Sequence, residues 1–96
     1  MFAVNPLTLL RLEKLEATDD AVLVRIAAIA ELDAINFYLQ IARHASDERV
    51  KKLLEDIARE EMEHLGELLE LLRRIDPATA EMIERGAREA RQILGD

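Results

Sequence analysis

No cysteine occurs among the 96 residues, which excludes a disulfide framework, a thiolate metal site and a rubredoxin-type iron centre. No apolar run approaches the roughly 18 residues needed to span a bilayer, so no membrane partner is expected. The opening Met1-Phe2-Ala3-Val4 offers neither a basic region nor a cleavage pattern for export, and the expected location is therefore cytoplasmic. Basic excess is lacking as well. Thirteen lysines and arginines face 20 aspartates and glutamates, a net charge of -7. Without a basic stripe to displace counterions from phosphates, nucleic acid is not an expected partner. Cations are.

Helix breakers are sparse, with three glycines and two prolines, and their positions divide the chain. The expected fold class is all-α: one domain over 1–96 with an N-terminal arm (1–19), an antiparallel two-helix hairpin (20–75) and a short C-terminal helix (77–94). Leu7, Leu9, Leu10, Leu12 and Leu15 make the arm leucine-rich, and Thr18-Asp19-Asp20 supplies N-cap chemistry for the first helix. That helix runs to about His44. Ala45-Ser46-Asp47 breaks the chain and caps the second helix, which continues to Ile75; Asp76-Pro77 then caps and opens the third. Gly66 interrupts the second helix at a cost of about 1 kcal/mol relative to alanine, and a close approach by another helix is expected there. Half of the residues are hydrophobic, a generous share for so short a chain, and association is the natural way to bury the excess.

At about 100° per residue, Val50, Leu54, Ile57, Ala58, Leu65, Leu68, Leu72 and Ile75 form a stripe centred on Glu61, with His64 about 60° to one side. The first helix has the same design. Val24, Ala27, Ala28, Ala34, Ile35, Tyr38 and Ala42 centre on Glu31, and Ile26, Ile29, Ala30 and Phe37 form a second apolar side that predicts a further interface. In a hairpin turning near Ala45-Ser46, Glu31 and Glu61 each lie about fifteen residues, or about 22 Å, from the turn. The two carboxylates and the imidazole should converge.

Burying carboxylates without compensation costs several kcal/mol or forces protonation, and a divalent metal compensates both. Oxygen and imidazole donors suit iron, manganese or zinc. Three ligands under-coordinate a metal pair, whereas two hairpins related by a two-fold axis give Glu31, Glu61 and His64 twice, the set of a four-helix di-metal bundle. A glutamate and a histidine three apart are alone a weak signal, because acidic solvated helices produce the pattern by chance. Glu60, Glu63, Glu67 and Glu70 are read as such a face, with Glu55–Arg59 and Glu70–Arg74 as helical pairs. Tyr38 is either a core aromatic or a partner that orients a ligand carboxylate. His44 is a helix-terminus cation.

The segments Ala30-Glu31-Leu32-Asp33-Ala34-Ile35-Asn36-Phe37-Tyr38 and Ala58-Arg59-Glu60-Glu61-Met62-Glu63-His64 resemble the encapsulated ferritins, half-length ferritin-like proteins of encapsulin nanocompartments. The resemblance covers roughly residues 20 to 76. It implies a protomer that dimerises into a ferritin-like four-helix bundle, with Glu31, Glu61 and His64 as catalytic metal ligands of a di-iron ferroxidase centre. It also implies ring-shaped decamers, Fe²⁺ with dioxygen or peroxide as reactants, and an encapsulin shell within which iron is stored. Ala30 and Asp33 stand where members with a metal-entry site carry glutamates, Phe37 replaces a frequent tryptophan, and no targeting peptide is recognised after the third helix. Two other readings remain at this point: a metal-free helical oligomerisation module, and a di-iron or di-manganese protein handling peroxide.

Overall fold

A computed structural model describes residues 19–95. The arm expected over 1–19 lies outside the described residues except for Asp19. Three helices follow: α1 (Asp20–His44), α2 (Glu48–Ile75) and α3 (Pro77–Leu94). Each begins on an aspartate whose carboxylate accepts a backbone N–H of the first turn: Asp19 from Ala21 at 2.9 Å, Asp47 from Arg49 at 2.8 Å, and Asp76 from Thr79 at 3.3 Å. Short polar residues at these positions satisfy donors that the helix cannot reach internally. Pro77 occupies the first turn of α3, where its missing N–H costs nothing, and Gly95 ends that helix at φ 86°. The expected boundaries therefore hold to within one residue.

α1 and α2 pack side by side and antiparallel. Their buried apolar residues are few and mostly small: Val24, Ala34 and Ala42 on α1, Ala58 and Leu72 on α2. Ala42 at 2% and Ala58 at 0% exposure have only a methyl group to interpose, which lets the two backbones come close. At the open end of the hairpin, Arg25 Nη1 donates to Asp76 Oδ2 at 2.9 Å across 51 residues of sequence, tying the start of α1 to the α2–α3 corner. The same Asp76 caps α3. Hydrogen bonds from Thr79, and then the Arg25 guanidinium, hold its carboxyl below the usual aspartate range.

The hairpin leaves most of its apolar surface uncovered. Leu32, Phe37, Leu39 and Ile29 on α1 are exposed, as are Val50, Leu53, Met62, Leu69, Leu71 and Ile75 on α2. The second apolar side expected for α1 is thus present, with Ile29 exposed on it. The radius of gyration is 16.4 Å, against about 12 Å for a compact chain of this length. The extents of 46 × 43 × 20 Å describe a plate two helix diameters thick. α2 alone, at about 1.5 Å per residue, accounts for one long dimension, so α3 runs across the hairpin and not back along it. The close approach expected at Gly66 is not made by any described residue: a Cβ placed there would meet nothing within 4 Å.

Two outcomes follow from this packing. Ala58→Leu should overpack the α1–α2 contact and lower stability by about 1–3 kcal/mol, measurable by denaturant unfolding. The depressed Asp76 carboxyl stabilises the fold above the ordinary aspartate range, and that contribution is lost as pH falls through its folded value. In acid titrations of thermal midpoint, the gap between the native chain and Asp76→Asn should therefore close as pH drops.

Candidate metal centre

Glu31 stands near the middle of α1, and Glu61 and His64 stand one turn apart on α2. Antiparallel pairing at equal distances from the turn brings all three together, with one ligand atom from each lying within 4.8 Å of the others. His64 Nδ1 is 3.6 Å from Glu61 Oε1 and 3.8 Å from Glu31 Oε2. These separations exceed direct hydrogen bonds. They match the distance that two donors about 2.1 Å from one ion subtend at roughly 120°.

The electrostatics of the cluster are unbalanced. The Glu31 and Glu61 side chains are only 21% and 20% exposed, and buried Glu31 Oε2 has no hydrogen-bond partner. Glu31 is held above the ordinary glutamate value. The Glu61 carboxylate within hydrogen-bonding reach is the largest cause, burial the next and the Glu61 charge a third, while His64 acts in the opposite sense. A buried acceptor without a donor is costly, and so are two carboxylates sharing one site. A divalent cation would answer both, and two oxygens with one imidazole nitrogen fit iron, manganese or zinc.

The cluster is open on one side. The His64 side chain is 48% exposed, and on the α2 wheel Leu53, Leu71 and Ile75 lie within about 20° of it. All three are exposed, Leu53 at 61%. An imidazole is therefore set in an uncovered apolar strip.

The other sequence expectations sort themselves around this cluster. Tyr38 lies two turns beyond Glu31, roughly 10 Å along α1, outside the cluster; its ring meets Phe37 edge to face at 5.4 Å between centroids. His44 is the last residue of α1, beside Arg43 in the final turn, where a cation complements the helix dipole. Glu60, Glu63, Glu67 and Glu70 are all exposed. Glu70 accepts from Arg73 at 2.7 and 3.0 Å and from Arg74 at 2.9 Å, which depress its carboxyl to about 2. The expected Glu55–Arg59 pair is replaced: Arg59 donates to Asp56 at 2.8 Å, because the shorter aspartate three residues away meets the guanidinium first. Among the described residues no second group of three or more metal-ligating side chains comes together, and no helix is long and apolar enough to cross a membrane.

Fold and cluster together define a helical-hairpin protein of the ferritin-like class, carrying two carboxylates and a histidine on its inner face. Residues 9–87 match the family described as EncFtn-like, and the chain belongs to that family. It is 42% identical over 96 residues to the ferritin-like-encapsulin shell fusion protein of Pyrococcus furiosus; that match takes in 99% of this chain but only 28% of the relative's length. It is 34% identical over 89 residues to the encapsulin nanocompartment cargo protein EncC of Myxococcus xanthus, covering 93% of this chain and 68% of the relative. Among solved structures, the encapsulated ferritin domain from Pyrococcus furiosus superposes with a TM-score of 0.78 at 35% identity, covering 100% of this chain and 98% of that one. The all-helical hairpin with a third helix is thus the fold of an encapsulated ferritin domain.

A raised carboxyl gives a signed expectation for metal-depleted protein. The folded state binds the Glu31 proton more tightly than the unfolded chain does, so stability should increase as pH falls through the folded value toward the ordinary one. Glu31→Gln should remove that increase and raise the metal-free thermal midpoint at neutral pH. Calorimetry of both proteins over the same pH series reads the difference.

Proposed function

We propose that this chain is one half of a ferroxidase, oxidising Fe²⁺ to Fe³⁺ at a di-iron centre completed by a second copy. The observation that carries the reading is buried Glu31 Oε2, which lacks a partner and faces Glu61 and His64. A two-fold axis through the open side of the cluster would supply four carboxylates and two imidazoles, and four negative charges balance two divalent ions. The exposed apolar strip beside His64 supports the same axis, since it is the surface that a second hairpin would cover.

Iron is the substrate, and it delivers electrons to dioxygen or peroxide. The chain's own residues hold it and manage charge. Because Glu31 holds a proton more tightly than an ordinary glutamate, protons compete with a cation for its carboxylate, and loading weakens in acid. Glu61 shares the position with Glu31 and takes up part of the added positive charge. His64 turns Nδ1 toward the carboxylates, so Nε2 is left to an outer partner that fixes the ring. Tyr38 is proposed to orient a carboxylate of the neighbouring chain, because it lies too far along α1 to reach its own. Manganese or zinc could occupy the same donors.

Two hairpins enclose no storage cavity, so mineral storage requires a surrounding compartment. The relatives named as an encapsulin shell fusion and as an encapsulin nanocompartment cargo protein support an encapsulin shell as partner and a place inside that shell; assembly of the dimers into a ring is part of the same proposal.

Purified protein given Fe²⁺ in air should oxidise it far faster than buffer alone, and Glu31→Ala should lose about 100-fold or more of that rate, beyond the usual effect of an outer-sphere change. Metal analysis across a sizing column should place iron with the oligomer and not with the monomer. Equal oxidation by the native chain and Glu31→Ala would overturn the proposal, and so would iron bound stoichiometrically to a monomer.

A further inference from the structure

Gly66 stands in the middle of α2, where glycine weakens a helix relative to alanine, and none of the described residues makes use of it. It is exposed, and a Cβ built there would meet no atom within 4 Å. Its neighbours at helical spacing are large and apolar. Met62 and Leu69 are 44% and 46% exposed; they lie within about 60° of Gly66 on the α2 wheel, and all three lie about 140–160° from His64. The strip runs through Glu55, Arg59, Met62, Gly66, Leu69 and Arg73, spaced alternately by four and three residues, the repeat of a seam along which one helix meets another. Exposed Leu32 and Leu39 border it from α1. Both lie within about 40° of Arg25 on the α1 wheel, and Arg25 reaches Asp76 on this side of the hairpin.

We propose that this strip binds the same strip of a second copy, antiparallel about a two-fold axis, at an interface separate from the one over His64. The pattern of the strip fits a copy of itself. An axis at the level of residue 64 sets Met62 of each chain over Gly66 of the other, where the missing side chain leaves room for a flexible thioether. The same axis sets Glu55 opposite Arg73. Within one chain Glu70 holds both Arg73 and Arg74, one cation more than its charge requires, while Glu55 makes no ion pair among the described residues. Across the axis the spare cation and the unpaired carboxylate meet, and two-fold symmetry makes each such pairing twice. A parallel, in-register pairing would instead set Glu55 on Glu55 and Arg73 on Arg73, so the charges select the antiparallel arrangement.

Because the strip and His64 lie on opposite sides of α2, one chain could meet two different copies at once. The interface uses none of Glu31, Glu61 and His64, and it stands whether or not the chain oxidises iron.

Single cysteines introduced into the cysteine-free chain test it. When Met62→Cys chains are mixed with isotopically labelled Gly66→Cys chains under mild oxidation, disulfides joining one variant to the other should exceed those within either variant at least tenfold, with or without a chelator. Statistical pairing, or no mixed disulfide, would overturn the proposal. Gly66→Leu supplies a second reading, because the open space at Gly66 and the better helix propensity of leucine leave the single chain intact. In a Glu31→Ala background with chelator present, Gly66→Leu should weaken association at least tenfold by sedimentation while helical circular dichroism is kept. Glu63→Leu, on the outer face of α2, should leave association unchanged. A Glu31→Ala parent that stays monomeric, or that associates no better than its Gly66→Leu derivative, would also overturn the proposal.

Discussion

Two carboxylates sharing one half-buried site form the constraint on which the rest of the structure depends. Glu31 and Glu61 repel when both are ionised, and Glu31 Oε2 has no donor to satisfy it. A hairpin designed for stability alone would place leucines at those positions, as it does one or two turns away at Leu54, Leu65 and Leu68. A bound positive charge, as proposed for this site, would offset the cost of keeping the pair. The nearby imidazole is only a partial answer, since at 3.6 and 3.8 Å it approaches both carboxylates without a close hydrogen bond to either.

The packing of the hairpin serves that arrangement. Alanines at 34, 42 and 58 let α1 and α2 approach closely, and close approach lets short glutamate side chains from opposite helices meet. Larger residues there would separate the backbones and carry the ligand atoms apart. The consequence is a meagre core: five buried apolar residues among those described cannot cover a plate of this shape. The large exposed apolar surface and the open side of the Glu31–Glu61–His64 cluster therefore share a physical origin. One chain is too thin to bury either its leucines or its cluster, and the proposed second copy over His64 would remedy both shortages with the same surface.

Much of this was legible in the sequence because the signals were regular. N-cap aspartates at 19, 47 and 76, with proline after the last, marked the helix starts to within a residue, and long intervals without breakers marked their bodies. Equal spacing of Glu31 and Glu61 from the Ala45-Ser46 turn predicted their meeting, since helical rise is constant along both arms of a hairpin. What the pattern did not carry was the choice among local partners. Arg59 selected Asp56 over Glu55, and Glu70 gathered Arg73 as well as Arg74, because side-chain length and rotamer decide such pairs. Nor did the pattern reveal that Arg25 reaches Asp76. That contact depends on where two helices end in space, across 51 residues of chain, and no periodicity encodes it.

The two faces of α2 show one residue type given opposite properties by its surroundings. Glu70, in solvent and clasped by two arginines, stays ionised well into acid, with its carboxyl near 2. Glu31, facing α2 from the neighbouring helix, is pushed the other way by a second carboxylate and by burial. Glu70 has its cations built into the chain at the next turn of helix, so it offers little to an added ion. Among the described residues the inner cluster has no built-in lysine or arginine, and a proton or an added cation can meet its charge. The acidity of the whole chain is therefore a poor guide to where a cation binds. The better guide is where carboxylates are drawn together away from solvent without an arginine, as Glu31 and Glu61 are beside His64.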